Sequence, residues 1–501
     1  MKFRFVLKIL GALMMLMGLA MSSTLFYAFA NRENPQVGFG ISALEWSCIG
    51  SFFIGAILFF SFKIKKKHVL RKEAILIVGL GWIICGIVGA FPYWLCSVAE
   101  PLNFAQSLFE SFSGFTTTGS TVIIDLNLWP KEILLWRSLT QWLGGVGILV
   151  LFVAVLSSLG VGSKSLFQHE SSFEITQSST ARIKDVAWLL LKIYLLLTVT
   201  CIAGLLAMGL TTFDAVCHAF TTVSTGGFSP HNQSIGYYSN WGNAWAIQLW
   251  ITLFMLLCSF NFLIYTLLIK RKWRQFFFQE ESFSLFVLLM SATAVITIGV
   301  YQMDQGQIGV EFFDTLRRCL FMVVSIASTT GFGLENYETW PTYAIIILLA
   351  LMFIGGCSGA TAGGIKLGRV LTALKACHFE ITKTFRPNYI DRVNLNSRNL
   401  DAETVSHTLG FVMLFVFITF ISVFIVAFLE ISNGIDILTA FGAVVATLPN
   451  IGPGLGDVGP TGNFSHLNES TLIFLSLLMV LGRLELYAIL ALIVPAMWKK
   501  F

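Results

Sequence analysis

Long apolar runs alternate with short polar segments along the chain. Ten of these runs contain about 20 residues, the length a helix needs to cross the ~30 Å hydrocarbon core of a bilayer. The runs cover residues 5–30, 41–62, 74–99, 132–159, 188–210, 243–269, 282–300, 342–365, 407–429 and 471–498. This pattern predicts an all-α polytopic membrane protein with ten transmembrane helices.

Four further stretches are half-polar and too short to cross a bilayer. They cover residues 104–115, 213–223, 312–327 and 435–448. A segment that cannot cross must return, and irregular backbone at membrane depth is stable only where it is buried in protein or lines water. We therefore predict four short helices that dip into the membrane. For any one of them alone, an amphipathic loop outside the membrane explains the pattern equally well.

Each short stretch ends in a small polar segment that contains a glycine, at residues 116–120, 224–228, 328–332 and 449–453. Gly119, Gly227, Gly331 and Gly452 are 108, 104 and 121 residues apart by subtraction. Four such segments in register predict four quarters of one pore, in which backbone carbonyls replace the water shell of an ion. Residues 1–72 then hold two leading transmembrane helices. Four span–pore-helix–span repeats around one pore follow, at 73–165, 166–275, 276–398 and 399–501.

Composition and charge indicate the class of protein and its orientation. Hydrophobic residues make up 56% of the 501 residues and charged residues 12%, which excludes an ordinary soluble domain. Most Lys and Arg precede the first span or follow the even-numbered spans, so the positive-inside rule places both termini in the cytoplasm. The net charge of +5 then reflects topology, and we expect no nucleic-acid partner. The N-terminus resembles a signal peptide, but its apolar stretch exceeds the usual ~7–15 residues, so we expect it to remain as a helix.

The four glycine segments carry the groups that a filter for a monovalent cation requires. Glycine adopts backbone angles that other residues resist, and Thr and Ser add hydroxyl oxygens to the carbonyls. The segments contain no carboxylate, whereas calcium-type or unselective cation sites often use acidic rings. The short helices would also point their partially negative C-terminal ends at the cation. The candidate potassium-binding residues are Thr117, Thr118, Gly119, Thr225, Gly226, Gly227, Thr329, Thr330, Gly331, Asn450, Ile451 and Gly452.

Two further features lie within predicted spans. Five glycines between residues 355 and 364 would weaken a continuous helix by up to ~1 kcal/mol each, so we predict a break in the span 342–365. The alternative is close helix packing through small residues. Arg483 is near the middle of the span 471–498, where a guanidinium costs at least ~2.5–3.5 kcal/mol and must face a cavity or a partner. The alternative for Arg483 is a structural ion pair with another span.

Glu110 lies in the first short helix, and Asp214 lies at the start of the second. Charged groups at membrane depth usually pair with one another. We therefore expect these carboxylates to cap a helix or to pair with Arg137, Arg317 or Arg318, and not to bind the ion.

Together these motifs resemble one known family. The segments TTTGS at 116–120, STGGFSPH at 224–231, STTGF at 328–332 and NIGPGLG at 450–456 are similar to the Trk/Ktr/HKT superfamily of potassium-uptake proteins. The two leading spans and the motif GPGLG at 452–456 resemble its TrkH/TrkG branch, and the resemblance covers essentially the whole chain. The fourth segment departs most, because Pro449, Asn450 and Ile451 replace hydroxyl residues, which makes equivalence of all four quarters doubtful.

The resemblance implies a multi-pass protein of the bacterial inner membrane that takes up potassium through a short filter formed by the four glycines. It also implies an intramembrane gate below this filter and a pore arginine that restrains flux. The implied gate residues are Gly355, Gly356, Gly359, Gly363, Gly364 and Arg483. The implied partners are K+, membrane lipid, a second copy of the chain in a homodimer with one pore per subunit, and a cytoplasmic nucleotide-binding regulatory subunit. We expect no organic cofactor in this chain.

Three alternatives stay open at this point. A sodium-permeable or a sodium- or proton-coupled potassium transporter would use the same pore, although in the resembled superfamily a Ser in place of a filter glycine is the usual mark of sodium passage. An intramembrane enzyme using Ser358, His218 or Asp214 belongs to another class, but no nucleophile–base–acid set or metal-ligand cluster supports it. A membrane scaffold with packing glycines would not need four glycine segments in register. We therefore expect a transporter and not an enzyme.

Overall fold

The computed structural model describes residues 3–32, 37–62, 71–98, 100–147, 180–304, 311–386, 393–396 and 398–498. These parts of the chain are mostly helical. The β-structure among them is one antiparallel pair of two-residue strands, β1 (Asn394–Leu395) and β2 (Arg398–Asn399), in which Asn394 lies opposite Asn399. The second half of the predicted span 132–159 lies outside the described residues, as does the predicted boundary between the first two repeats.

Two leading helices form a pair at the N-terminus. Helix α1 (Phe3–Ala30) packs along α2 (Ile41–Ser61) and also contacts α3 (Arg71–Trp94). Spacings of three and four residues place one apolar stripe of α1 on this buried side. Buried members of the stripe are Leu10, Met14, Met17 and Met21.

Four units of similar plan follow, each with a helix, a short helix and a further helix. The first contains α3, α4 (Phe104–Phe115) and α5 (Lys131–Gly145), and the second α6 (Thr180–Ala207), α7 (Thr212–Val223) and α8 (Ala244–Ser259). After α9 (Tyr265–Ile269) and α10 (Trp273–Phe277), the third contains α11 (Glu280–Asp304), α12 (Phe312–Ala327) and α13 (Thr342–Ile354). After α14 (Leu367–Phe385), the fourth contains α15 (Ala402–Leu429), α16 (Ile437–Thr447) and α17 (Glu469–Arg483), and α18 (Tyr487–Ile493) ends the helical part.

Three of the four short helices begin at a residue whose side chain caps the helix, and α12 begins after Glu311 without such a cap. Asn103 caps α4 by accepting a hydrogen bond from the backbone N–H of Gln106, whose side chain in turn accepts from the Asn103 N–H. Thr211 and Asp436 cap α7 and α16 in the same position. The predicted bounds 104–115 and 312–327 are confirmed, and the other two short helices differ from their predicted ranges by one or two residues at an end.

The four units pack in a closed cycle. The short helix of each unit contacts the last helix of the unit before it: α7 contacts α5, α12 contacts α8, and α16 contacts α13. The cycle closes because α4, the short helix of the first unit, contacts α17, the last helix of the fourth. The C-terminal ends of the four short helices are thereby brought to one central region.

Six described helices are long and apolar enough to cross a membrane, and a seventh candidate is α8 together with Phe262–Leu268. The six are α1, α2, α11 and α15 with the parts Lys72–Trp94 of α3 and Ala187–Ala207 of α6. The predicted spans 132–159, 342–365 and 471–498 each contain a shorter helix of 13 to 15 residues.

Three predicted spans are interrupted. The predicted break in 342–365 is confirmed, because α13 ends at Ile354 and Gly355 has a φ of +70°. A continuous helix over 243–269 was a wrong expectation, since α8 ends at Ser259 and the next helical turns are bent by 94°. A continuous helix over 471–498 is likewise wrong, because α17 ends at Arg483. Hydropathy reports how apolar a segment is and not whether other parts of the protein satisfy a bent backbone there.

Candidate functional site

Each of the four short helices ends with the same backbone hydrogen bond. The residue just before each of the four glycines donates its N–H to the carbonyl five residues earlier, which closes the helix in the manner of a Schellman motif. These bonds, of 2.8 to 2.9 Å, run from Thr118 to Ser113, Gly226 to Thr221, Thr330 to Ser325 and Ile451 to Ala446. The fourth unit, whose sequence departs most from the others, therefore has the same backbone turn.

Left-handed backbone recurs at two positions in each turn. Thr117, Thr225, Thr329 and Asn450 have φ between 54° and 60°, and the glycine two residues later has φ between 76° and 109°. Branched side chains rarely adopt such angles, which cost about 1–3 kcal/mol each and persist mainly at functional sites. Three threonines in this conformation mark the turns as the strained part of the backbone around the glycines.

The four glycines close a ring of backbone contacts, which we call the glycine ring (Gly119, Gly227, Gly331 and Gly452). A Cβ atom added to any member would meet the carbonyl oxygen of the residue that precedes the glycine of the adjoining unit. The distances are 2.3 Å from Gly119 to Gly226, 1.9 Å from Gly227 to Thr330, 1.9 Å from Gly331 to Ile451 and 2.8 Å from Gly452 to Thr118. Real Cβ atoms essentially never approach closer than 3.0 Å, so only glycine fits without displacement.

All four glycines of the ring line one cavity of about 420 Å³, which we call the upper cavity. Two charged residues in its wall, Arg137 and Glu335, are neutralised by partners. Arg137 pairs with Glu110 at 2.5 Å, and Arg318 pairs with Glu335 at 2.5 Å. The four ring glycines therefore line a shared space, and the charged residues Arg137 and Glu335 in its wall are already paired.

Amide side chains hold two of the turns. Asn450 donates to the Thr118 hydroxyl and to the Met479 carbonyl, both at 2.9 Å, and so joins the fourth turn to the first. Gln141 contacts the backbone on both sides of Gly227. The prediction from sequence missed Gln141, which follows Arg137, Ser138 and Thr140 in α5 and therefore does not stand out as a single polar residue.

The glycine-rich stretch Gly355–Gly364 forms an irregular loop on the other side of the ring. Its Gly363 N–H donates to the Thr329 hydroxyl at 2.6 Å, and its Gly364 N–H donates to the Pro449 carbonyl at 2.9 Å. A Cβ at Gly363 would lie 2.0 Å from the Pro449 oxygen. The loop thus contacts the third and fourth turns directly.

Other parts of the loop are fixed by neighbouring helices. The Cys357 N–H donates to the Ser259 carbonyl at 2.9 Å, and the Gly359 carbonyl accepts from Phe262, at the point where α8 ends. The buried Glu281 on α11 accepts from the N–H groups of Ser358 at 2.6 Å and Gly368 at 3.0 Å with one carboxylate oxygen. The carbonyl of another predicted loop glycine, Gly356, accepts a hydrogen bond from the Leu367 N–H at 3.0 Å. Gly355, Gly359 and Gly364 have left-handed backbone, with φ between 70° and 78°.

Arg483 binds the loop from the last turn of α17. Its guanidinium donates to the Thr361 carbonyl at 2.7 Å and to the Gly144 and Gly145 carbonyls at 2.8 and 3.4 Å. Together with Lys366, Tyr194 and loop residues 359–364, Arg483 lines a second cavity of about 100 Å³, which we call the lower cavity. The guanidinium therefore ties the loop to the end of α5 beside this cavity.

Comparisons with known proteins identify the family. The sequence model of TrkH, described as a cation transport protein, matches residues 46–500. This chain belongs to the TrkH family. Its relatives include the Trk system potassium uptake protein TrkH of Halomonas elongata, 34% identical and covering 100% of both chains, and the Trk system potassium uptake protein TrkG of Escherichia coli K12, 32% identical and covering 99% of both. The solved structure of the potassium transporter TrkH from Vibrio parahaemolyticus superposes with a TM-score of 0.86 at 30% identity over 100% of both chains.

Membership of the TrkH family confirms the resemblance drawn from the four glycine motifs. It also confirms that the chain is a transporter and not an enzyme, because the family consists of cation transport proteins. The residues considered for enzyme chemistry are divided between two places in this TrkH-family chain. Ser358 contacts Glu281, whereas His218 contacts the Asp214 carbonyl at 2.9 Å. Within the described ranges, no group of three or more His, Cys, Asp or Glu is placed to hold a metal ion.

The acidic residues of the short helices have structural partners in this TrkH-family chain. The expected pairing of Glu110 with Arg137 is confirmed, and the same carboxylate accepts from the Val122 N–H at 3.1 Å. Asp214 pairs instead with His231 at 3.2 Å, a partner that the sequence prediction did not include. The Glu110–Arg137 pair is buried beside the first turn, where it fixes the chain that leaves the ring.

Proposed function

We propose that this chain is the membrane-spanning subunit of a potassium-uptake system, and that K+ passes through the glycine ring. The observation that carries the proposal is that four glycines far apart in the sequence close one ring and line one cavity. The relatives named Trk system potassium uptake protein support K+ as the ion. No organic cofactor and no nucleic acid have a part in this function.

In the proposed filter, oxygens of the four turns replace part of the water shell of K+. The contributing residues are Thr117, Thr118, Gly119, Thr225, Gly226, Gly227, Thr329, Thr330, Gly331, Asn450, Ile451 and Gly452. The four short helices end at these turns, so their partially negative C-terminal ends favour a cation there. Neutral dipoles suit a weakly hydrated monovalent ion, because they hold it without the tight binding of a full negative charge.

The loop Gly355–Gly364 and Arg483 act as the gate. The loop is hydrogen-bonded to the third and fourth turns and lies between the ring and the lower cavity. Its glycines allow the backbone to rearrange at low cost, since they have no Cβ atoms to clash. The positive charge of Arg483 beside the lower cavity raises the free energy of a passing cation and restrains flux.

Ten transmembrane helices carry this pore in the proposed topology. Two leading spans occupy residues 1–72, and four repeats occupy 73–165, 166–275, 276–398 and 399–501. Both termini face the cytoplasm of a bacterial cell, and the upper cavity faces outward across the inner membrane. Uptake is then driven by the inside-negative potential, which contributes about 2.3 kcal/mol per charge per 100 mV.

The proposed assembly is a homodimer with one pore in each subunit, controlled by a cytoplasmic nucleotide-binding subunit. Exposed apolar side chains along α15 support a lipid-facing surface, because they recur at spacings of three and four residues on one side of the helix. These exposed residues are Phe417, Phe420, Phe424 and Phe428. The nucleotide site belongs to the regulatory subunit in this proposal.

Ion flux into proteoliposomes tests the proposed function. The chain is purified with its cytoplasmic regulatory subunit, reconstituted, and given an inside-negative potential while uptake of Rb+ and Na+ is measured. We expect Rb+ uptake that depends on the potential and exceeds Na+ uptake. Equal or greater Na+ uptake would favour the sodium-permeable alternative. Absence of potential-driven uptake by folded protein would refute the proposal.

A further inference from the structure

Gln141 on α5 spans the ring glycine of the second unit with its amide group. Its Nε2 donates to the Gly226 carbonyl at 2.6 Å, and its Oε1 accepts from the Phe228 N–H at 3.0 Å. Because Gly227 lies between these two residues, the side chain holds the backbone on both sides of it. Gln141 is fully buried, with 0% of its surface exposed.

The nitrogen and the oxygen of this amide are both hydrogen-bonded, which fixes the orientation of the amide. A flipped amide would place its NH2 group against the Phe228 N–H, which is donor against donor. It would also place its oxygen against the Gly226 carbonyl, which is acceptor against acceptor. A Cβ atom at Gly226 would lie 2.4 Å from Gln141 Cδ, so the amide also packs flat against that glycine. The contact therefore specifies the position of both peptide groups around Gly227.

The carbonyl that Gln141 holds is also a joint of the glycine ring. A Cβ at Gly119 would meet the Gly226 oxygen at 2.3 Å, so this oxygen forms the contact between the first and second units. Gln141 itself belongs to the last helix of the first unit. Its side chain therefore links the two units at the atom through which their turns touch.

The corresponding helices of two other units have methionine in the matching place. Gly144 and Gly482 are equivalent by packing, because a Cβ at either would lie 1.8 Å from a carbonyl four residues before a ring glycine, that of Phe115 or Leu448. Three residues earlier, α5 has Gln141 whereas α17 has Met479. A Trp-Pro pair precedes α5 at 129–130 and α13 at 340–341, and counting from that pair aligns Gln141 with Met352. Both methionines are buried. In these three units the position holds an unbranched side chain, and of the three only the first carries an amide there.

We infer that Gln141 is a positioning residue for ion discrimination: it sets the backbone around Gly227 and thereby the spacing of the oxygens that meet the ion. This inference rests on the proposed function, because it concerns the same ring. Selectivity between K+ and Na+ depends on cavity size and on the number and field strength of the coordinating carbonyls. The hydrogen bond from Gln141 fixes the Gly226 carbonyl and therefore affects the size of the cavity and the number of carbonyls that reach the ion.

The variant Gln141→Met tests the inference, with Gln248→Met as its matched control. Gln248 is a fully buried glutamine on α8 whose amide contacts the Ser239 hydroxyl at 3.4 Å. Rb+ and Na+ uptake are measured in the same proteoliposomes, at equal amounts of monodisperse protein. Gln141→Met removes both hydrogen bonds of the amide, and the bond to the Gly226 carbonyl is the one that positions an oxygen of the ring. We expect the Rb+/Na+ ratio to fall about fivefold in Gln141→Met, as the loss of ~1 kcal/mol from that bond predicts. We expect Gln248→Met to keep the parent ratio.

A second variant, Gln141→Glu, keeps an acceptor for the Phe228 N–H, but its carboxylate cannot donate to the Gly226 carbonyl. We expect its Rb+/Na+ ratio to fall as well, and it decides the matter if Gln141→Met does not fold. An unchanged ratio in a conducting Gln141 variant would overturn the inference, as would an equal fall in Gln248→Met. Absence of Rb+ uptake by the unchanged chain would instead overturn the proposed function, and the inference with it.

Discussion

Alanine in place of each ring glycine should reduce ion flux in an order set by the space beside that glycine. The added Cβ would lie 1.9 Å from a carbonyl oxygen at Gly227 and at Gly331, 2.3 Å at Gly119 and 2.8 Å at Gly452. Real Cβ atoms require at least 3.0 Å. By subtraction, the opposing carbonyl must move by at least 1.1 Å at the first two positions, 0.7 Å at the third and 0.2 Å at the fourth.

The displacement translates into a graded loss of flux. In enzymes, misplacing an aligned group by about 1 Å costs about 100-fold in rate, and we expect the same order where carbonyls must align on an ion. If the logarithm of the loss scales with the displacement, flux falls about 100-fold in Gly227→Ala and Gly331→Ala, about 20-fold in Gly119→Ala and about twofold in Gly452→Ala. Alanine also adds about 1–2 kcal/mol of left-handed backbone strain at all four positions.

Gly209 provides a control that separates the effect of backbone strain from the effect of displacing a carbonyl. It has a φ of +88°, within the range of the ring glycines, but an added Cβ would meet nothing within 4 Å. Gly209→Ala should therefore lower thermal stability slightly and leave Rb+ flux per folded protein unchanged. Rb+ uptake into proteoliposomes is measured for all five variants at matched protein content. Equal losses at all four ring positions, or a loss in Gly209→Ala as large as that in Gly227→Ala, would refute the reasoning.

Three further substitutions have defined outcomes. Arg483→Ala should raise Rb+ flux, because it removes a positive charge beside the lower cavity, whereas Arg274→Ala, which removes an exposed arginine of α10, should not; unchanged or lower flux in Arg483→Ala would reject the barrier role. Glu110→Gln should lower the free energy of unfolding by about 3–5 kcal/mol, because it leaves Arg137 buried and unpaired; an unchanged melting temperature in detergent would contradict this. Glu281→Ala should raise basal flux without regulatory subunit, because the N–H of Ser358 in the loop and that of Gly368 in the first turn of α14 lose their shared acceptor; flux equal to the parent value would show that the loop does not depend on it.

The short helices could be predicted from local sequence because their limits are local. A capping residue such as Asn103 marks the start of α4, and a hydroxyl-rich segment with a glycine marks its end. The break after Ile354 could be predicted for the same reason, since several glycines weaken the helix there. These features act within a few residues, so a single sequence contains all the information that they need.

The other breaks depend on distant parts of the chain and carry no local mark. Phe260 follows α8 and Leu484 follows α17, and neither residue is a helix breaker. The bend after α8 is stabilised by a hydrogen bond from the Cys357 N–H to the Ser259 carbonyl. The end of α17 is stabilised by a hydrogen bond from the Arg483 guanidinium to the Thr361 carbonyl. A hydropathy pattern contains no record of such partners, which explains why two spans were expected to be continuous.

The role of Gln141 could not be predicted for a similar reason. Its partner atoms are backbone groups about 85 residues away in the sequence, so nothing near Gln141 identifies them. The four ring glycines could be recognised because they repeat, and repetition reveals a shared task even when each copy alone is ambiguous. A residue present in one unit only has no such repetition.

If the loop is the gate proposed above, the hydrogen bonds from Gly363 to the Thr329 hydroxyl and from Gly364 to the Pro449 carbonyl couple its opening to the choice of ion. A loop that swings aside must release a hydroxyl and a carbonyl that belong to the turns themselves. The released oxygens can then coordinate a passing ion, so the closed and open pores offer the ion different numbers of oxygen ligands. On that proposal, a signal that controls how often the pathway opens also changes which cations it admits.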